Sequence, residues 1–194
     1  MPKEVLFDEA QALQKAMELF WLKGYNGTSM DELTKATGLS RSSIYNSYGD
    51  KHDLFIKCLD YYKSWLLATL VPALQKLQSP LKKIETVFRY SLEGLLKDKE
   101  RKGCLIVNTT TELANLEEQV ARFVKQYEEE IEKMFRDWIK EGQQSSEISK
   151  SFSSPALAKH LFNSYSGLKV VAQTTGDRKT LEDIVNVSLS VLKK

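Results

Sequence analysis

Apolar residues recur at three- and four-residue intervals along nearly the whole chain, and no long segment alternates between apolar and polar residues. This spacing places apolar side chains on one stripe of an α-helix, whereas a half-buried strand would alternate. The clearest run comprises Leu116, Val120, Phe123, Tyr127, Ile131, Met134 and Trp138. The pattern predicts an all-α protein of about nine helices, near 8–23, 30–36, 41–47, 51–77, 80–97, 104–113, 116–141, 155–173 and 180–192.

Short signals mark where several of these helices begin and end. Ser79 precedes Pro80, and Ser154 precedes Pro155, so each serine is predicted to cap a helix with proline in its first turn. Thr180, with an acid three residues later, is predicted to open the last helix. Gly142 is predicted to end the long helix before it.

Composition narrows the classes of function. The net charge of +2 excludes a strongly basic coat, although it allows a local basic surface. Cys58 and Cys104 show no pairing pattern, and the N-terminus has no signal-peptide pattern, so we expect a cytoplasmic protein without a membrane span. The only histidines are His52 and His160, and HExxH, CxxC and phosphate-binding glycine motifs are all missing. We therefore expect no enzyme, no metal and no cofactor.

The first 50 residues contain three short predicted helices. Ser29 and Glu32 form a capping box at the start of the second helix. The turn Thr37-Gly38-Leu39 follows, and Ser40 caps the third helix. Two short helices joined by a tight turn with glycine are typical of a helix-turn-helix.

A helix-turn-helix inserts the N-terminal end of its second helix into the major groove of DNA. Here that end presents Arg41 between the hydroxyls of Ser40 and Ser42. Arg41 can bind guanine or phosphate, and the hydroxyls can contact phosphates or base edges. Tyr45, Tyr48 and Lys51 are predicted to bind phosphates. Residues 1–58 carry seven basic and eight acidic side chains, so we expect modest affinity per half-site and a dependence on dimerisation.

The segment from Gly24 to Phe55 resembles the DNA-binding domain of the TetR family of repressors. The likeness includes Thr28-Ser29-Met30-Asp31-Glu32-Leu33, Ala36-Thr37-Gly38-Leu39 and Ser40-Arg41-Ser42-Ser43-Ile44-Tyr45. A second, weaker resemblance, over 103–105 and 112–114, is to NemR-like regulators. The family resemblance implies DNA contacts at Thr28, Ser40, Arg41, Ser42, Tyr45, Asn46, Ser47 and Lys51. Ser42, Ser47 and His52 depart from the usual residues, so the family's operators do not predict the operator of this chain.

The chain is predicted to divide into a DNA-binding domain at 1–50 and a ligand-binding and dimerisation domain at 51–194. The predicted helix at 51–77 links them, and the resemblance implies that it transmits ligand binding to the DNA reader. Residues that could line a pocket are Tyr62, Trp65, Phe88, Tyr90, Cys104, Asn108, Glu112, Phe123, Tyr127, Phe162 and Tyr165. Core packing is the commoner role of such side chains. Cys104 is either a redox or electrophile sensor or a small buried hydrophobe.

The last two predicted helices carry apolar stripes that need to be covered. The resemblance implies a homodimer that pairs them in a four-helix bundle and binds a palindromic double-stranded operator, with an unidentified small molecule as effector. The predicted contacts are Leu157, Leu161, Tyr165, Leu168, Leu181, Ile184, Val185, Ser188, Val191 and Leu192. An alternative from another class is a helical interaction module whose helix-turn-helix does not bind DNA, and a DNA-binding assay separates the two.

Overall fold

A computed structural model describes residues 8–193 and contains nine α-helices over that range, with no strand. They are α1 (Glu9–Lys23), α2 (Met30–Thr37), α3 (Arg41–Tyr48), α4 (Lys51–Gln75), α5 (Pro80–Lys97), α6 (Leu105–Leu113), α7 (Glu118–Gln144), α8 (Ser154–Thr174) and α9 (Arg178–Ser190). The all-α prediction is confirmed, and each predicted helix is present with small shifts at its ends. No helix in the described range combines the length and the apolar character that crossing a membrane requires.

The chain divides into two compact units, Met1–Leu66 and Leu67–Lys194. The sequence placed the domain boundary at the start of α4, between residues 50 and 51. In the structure the first part of α4 belongs to the first unit, because Leu54, Phe55 and Leu59 are buried in the core of that unit.

The core of the first unit is built where α1, α2, α3 and the start of α4 turn their apolar sides inward. Phe20 of α1 and Phe55 of α4 meet edge to face with their ring centroids 5.0 Å apart. Leu33 of α2 and Ile44 of α3 are fully buried. This packing leaves the opposite, polar side of α3 exposed, and that side carries most of the predicted DNA contacts.

The core of the second unit lies between α5, α7, α8 and α9. Phe88, Phe135 and Tyr165 form an aromatic cluster with ring centroids 5.5 to 6.3 Å apart, the separations at which edge-to-face and tilted pairs are favourable. Leu161 and Val185 are fully buried in the same cluster of apolar side chains.

Three predicted helix boundaries are wrong, for tertiary and local reasons. Gly142 was predicted to end the long helix, but it lies inside α7, which continues to Gln144. A Cβ at this position would clash with the side chain of Ile148, so glycine allows close packing there rather than a chain reversal. The last helix begins at Arg178, not at Thr180: Asp177 is the N-cap, and its carboxylate accepts the backbone N–H of Thr180 at 2.8 Å. At α8 the N-cap is Ser153, one residue before the predicted Ser154.

Candidate functional site

Caps at both ends define the two helices of the helix-turn-helix. Ser29 and Glu32 form the predicted capping box at the start of α2. Gly38 ends α2 with φ of 75° and ψ of 10°, a left-handed conformation that costs glycine little, and its N–H donates to the carbonyl of Thr34. The hydroxyl of Ser40 accepts the backbone N–H of Ser43 at 3.1 Å and opens α3. The predicted caps at Ser29, Gly38 and Ser40 are confirmed.

The solvent-facing side of α3 is polar and open. Ser40, Arg41, Ser42 and Asn46 are exposed, and the ring of Tyr45 retains 55% of its accessible surface. The opposite side of the helix carries Ile44 into the core. The structure therefore brings five of the predicted DNA contacts together on one accessible surface, which we call the α3 face.

The guanidinium of Arg41 is held by a residue that the sequence reasoning did not assign to the site. Its Nη2 donates to Oδ1 of Asp31 at 2.8 Å, and both side chains remain largely exposed. The hydrogen bond and the charge of Arg41 lower the pKa of Asp31 below its ordinary value. Asp31 and Arg41 are ten residues apart, so only the fold of the turn reveals that they pair.

A neighbouring ion pair involves the capping box itself. Lys23 of α1 donates to Glu32, and this bond, followed by those from the backbone and hydroxyl of Ser29, lowers the pKa of Glu32 to about 2. The carboxylate therefore joins α1 to the N-terminus of α2 while it caps that helix.

Two predicted DNA contacts are wrong because their side chains are buried. Thr28 is 1% exposed, and its hydroxyl donates to the carbonyl of Gly24 at 2.7 Å. Tyr48 is 7% exposed, and its hydroxyl donates to the carbonyl of Glu9 at 3.1 Å. Both hydroxyls donate to backbone carbonyls inside the first unit.

The remaining predicted DNA contacts lie near the C-terminal end of α3 and at the start of α4. Ser47 is half-buried, and its carbonyl accepts from Nζ of Lys57. Lys51 is half-buried with its Nζ 4.3 Å from the ring centroid of Tyr25, a cation–π contact that holds the ammonium near the start of α4.

The predicted effector residues do not form one group. Tyr62 and Trp65 belong to the first unit, where both rings contact Trp21. In the second unit Phe88 is fully buried in the core, whereas Tyr90 is 43% exposed. Phe123, Phe162 and Glu112 are half-buried.

The side-chain amide of Asn108 is hydrogen-bonded to the segment before α6. Its Nδ2 donates to the carbonyl of Lys102 at 2.8 Å, and its Oδ1 accepts from Nε2 of Gln173 on α8. Gln173 also donates to the carbonyl of Lys102. Asn108 therefore faces α8, and its amide helps to hold the segment that leads into Cys104.

The structure brings Cys104, Tyr127 and Tyr165 together around a residue that the sequence reasoning missed. Lys169 of α8 is 4% exposed, with its Nζ 3.6 Å from the ring centroid of Tyr165 and with Cys104 and Tyr127 as electrostatic neighbours. Its signal in the sequence is a single lysine in the otherwise apolar run from Leu168 to Ala172.

The predicted dimer contacts are covered within one chain. Leu157, Leu161, Tyr165, Leu168, Leu181, Val185, Ser188 and Leu192 are buried, and Ile184 and Val191 pack partly buried against the same core. Because α5 and α7 cover these stripes, the buried members are not free to contact a second copy directly, whereas Ile184 and Val191 stay predicted dimer contacts. The large apolar side chains exposed on the described parts of α8 and α9 are Val170 and Val187, at 47% and 70%.

A capped helix-turn-helix with a polar, accessible second helix, followed by a larger helical unit, defines a transcriptional regulator of the helix-turn-helix class. The family model described as "Bacterial regulatory proteins, tetR family" matches residues 12–58, and "Tetracyclin repressor-like, C-terminal domain" matches residues 80–187. The chain belongs to the TetR family.

Relatives match over nearly the full length. The chain is 31% identical to the uncharacterized HTH-type transcriptional regulator YezE of Bacillus subtilis (strain 168), over 96% of each chain. It is 25% identical to the HTH-type transcriptional repressor DhaR of Mycobacterium sp. (strain GP1), over 93% of this chain and 89% of that one. Among solved structures, a cysteine mutant of the TetR family regulator CifR, complexed with a 26-bp double-strand operator DNA, is similar with a TM-score of 0.83. The identity is 26%, over 96% of this chain and 97% of that one.

Proposed function

We propose that this regulator is a homodimeric, cytoplasmic repressor that binds a palindromic DNA operator through the α3 face and leaves it when a small molecule binds the second unit. The observation that carries the proposal is the α3 face itself. Its hydroxyls, guanidinium and phenol are accessible, while the apolar side of α3 is buried. The operator complex of the similar CifR supports the same use of this fold.

Each exposed group has a defined role in this proposal. Arg41 donates to guanine or to a phosphate, and Ser40, Ser42 and Asn46 contact phosphates or base edges. The hydroxyl of Tyr45 donates to a phosphate, and Lys51 adds a charge beside the backbone. A twofold dimer presents two such faces to half-sites about 34–36 Å apart, which requires a palindromic operator.

Continuity of α4 supports coupling between effector and operator. The helix begins three residues after α3 ends, and it continues without a break to Gln75 in the second unit. A continuous helix can carry a displacement from the second unit to α3, so effector binding would shift the recognition helix in its groove.

Dimer formation would use surface that the protomer leaves open. Val170 of α8 and Val187 of α9 are exposed apolar side chains on the two helices that the family resemblance assigns to the interface. An isologous contact between such faces closes a dimer.

The test is operator binding by two tyrosine variants that each lose one hydroxyl. The operator is first selected from random duplexes, and affinity is then measured by fluorescence anisotropy. Tyr45→Phe should weaken binding by roughly tenfold or more, because a hydrogen bond to a charged phosphate is lost at each half-site. Tyr48→Phe, three residues later on the same helix, should leave affinity unchanged, since its hydroxyl bonds Glu9 inside the unit.

Arg41→Ala should also weaken binding while the oligomeric state, measured by light scattering, stays the same. Unchanged affinity in both Arg41→Ala and Tyr45→Phe would refute the assignment of α3 as the recognition helix. If no duplex is selected at all, the helical interaction module becomes the better interpretation.

A further inference from the structure

Lys169 is a buried lysine that has no acidic partner within the part of the chain that the structure describes. It is 96% shielded from solvent, and none of the ion pairs found among residues 8–193 includes it. A charge removed from water without a partner destabilises the fold, so buried ammonium groups are normally paired with a carboxylate. Here the close contact is the ring of Tyr165, with Nζ 3.6 Å from its centroid.

The electrostatic neighbours of Lys169 are Cys104, Tyr127 and Tyr165, and none of these three is a carboxylate. Burial raises the pKa of Tyr127, so its phenol keeps its proton near neutral pH and can donate a hydrogen bond. Burial lowers the pKa of Lys169, whereas the neighbouring Cys104, Tyr165 and Tyr127 raise it. The ring face of Tyr165, whose centroid lies 3.6 Å from Nζ, stabilises the ammonium form of the amine.

A second source of positive potential begins beside this ammonium. Cys104, an electrostatic neighbour of Lys169, is the N-cap of α6, and its side chain forms no capping hydrogen bond. The next two residues, Leu105 and Ile106, are each 2% exposed, and their backbone N–H groups form no hydrogen bond with any part of the chain that the structure describes. Buried N–H groups are almost always paired, and the N-terminus of a helix attracts negative charge.

Four other helices have a side-chain cap that α6 and α7 lack. Serine hydroxyls cap α2, α3, α5 and α8 by accepting the backbone N–H of the third helical residue. At α6 the unpaired N–H groups and the ammonium are found together in the interior. An oxyanion would satisfy both, because a carboxylate has two oxygens and can accept from the ammonium and from backbone N–H groups at once.

We propose that Lys169 and the N-terminus of α6 form the anion-binding part of the effector site, and that the effector is a small organic carboxylate. The role of this ligand as an effector rests on the proposed function, whereas the binding of a carboxylate at this site does not. The carboxylate pairs with the Lys169 ammonium and with the N–H groups of Leu105 and Ile106, and the phenol of Tyr127 donates to it. Asn108 and Gln173 contribute by holding the segment before α6 in place.

The experiment measures binding of butyrate and benzoate to the full chain by calorimetry and by thermal unfolding, with butyramide and benzamide as neutral controls of the same shape. The wild-type protein should bind at least one carboxylate, with a rise in unfolding temperature, and should not bind the matching amide. Lys169→Met keeps the length and apolar character of the side chain, and it should reduce carboxylate affinity by roughly tenfold to a hundredfold.

A control variant makes the result specific. Lys179→Met removes an exposed lysine of α9 that pairs with Asp183, and it should leave carboxylate binding unchanged. The free Lys169→Met protein should unfold at the same or a higher temperature than wild type, because an uncompensated buried charge has been removed.

Equal binding of carboxylate and amide, or carboxylate binding that survives Lys169→Met, would overturn the proposal, as would failure of both carboxylates to bind. Operator release is measured separately with the same compounds. If a carboxylate binds through Lys169 but operator DNA is never bound, the anion site stands and the proposed repressor function fails. If DNA is bound and neither carboxylate binds the protein, the repressor function stands and the anion site fails.

Discussion

Gly142→Ala tests whether tertiary packing or helix propensity decides the residue at this position. Gly142 lies in α7, and an added Cβ would approach Cδ1 of Ile148 to 2.5 Å and its Cγ1 to 2.7 Å. Ile148 is fully buried, and the carbonyl of Gly142 accepts its backbone N–H at 2.9 Å, so the side chain has little freedom to withdraw. The substitution is therefore expected to strain the end of α7.

A matched glycine allows the size of this effect to be isolated. Gly94 of α5 is also helical, and a Cβ added there meets nothing within 4 Å. Alanine in place of glycine in a helix stabilises by about 1 kcal/mol through propensity, and we expect Gly94→Ala to show this stabilisation. Gly142→Ala has the same propensity effect plus an overpacking cost of about 1–3 kcal/mol. The difference between the two variants therefore reports the packing cost alone.

The assay is urea unfolding followed by circular dichroism at one fixed protein concentration, since any association would change the apparent stability. Gly142→Ala should be less stable than Gly94→Ala by about 1–3 kcal/mol. In the Ile148→Ala background, which removes both clashing atoms, the Gly142→Ala penalty should vanish, as a double-mutant cycle would show. If Gly142→Ala stabilises as much as Gly94→Ala, the role assigned to Ile148 is refuted.

Two further predictions concern the ion pairs of the helix-turn-helix. Asp31→Asn releases Arg41, so operator affinity should rise, and its salt dependence should steepen by about 0.9 for each additional phosphate that the protein neutralises; an unchanged slope would mean that Asp31 does not compete with DNA. The pKa of Glu32 is lowered from 4.5 to about 2, so its contribution to stability is present above pH 4.5 and is lost as the pH falls through 2. Glu32→Gln keeps the capping box, and it should flatten the fall in unfolding temperature between pH 4.5 and 2 relative to wild type.

Local signals predicted most of the helices and most of the α3 face. The capping box at Ser29, the turn at Gly38 and the cap at Ser40 each act within a few residues, so the sequence alone reveals them. The exposure of Arg41 and Tyr45 follows from the same periodicity that buries Ile44. Short-range order is readable because the groups that satisfy each other are close in the chain.

Tertiary packing decided which hydroxyls remain free. The family resemblance suggested Thr28 as a DNA contact, and the phenol of Tyr48 on the predicted recognition helix suggested a phosphate contact, but each hydroxyl is bonded to a backbone carbonyl inside the first unit. The partner of Tyr48 is 39 residues away in the chain. A pattern that repeats every three or four residues carries no information about such a distant acceptor.

The sequence by itself determined the all-α class, the order of the helices and the position of the helix-turn-helix, because these depend on local periodicity and capping. Only the tertiary structure decided which apolar stripes of α8 and α9 the protomer covers for itself. It also decided that Asp31 pairs with Arg41, and that Lys169 lies buried beside the N-terminus of α6. These outcomes join residues from different helices, and the free energy of burying or pairing a group depends on neighbours that the chain brings together only when it folds.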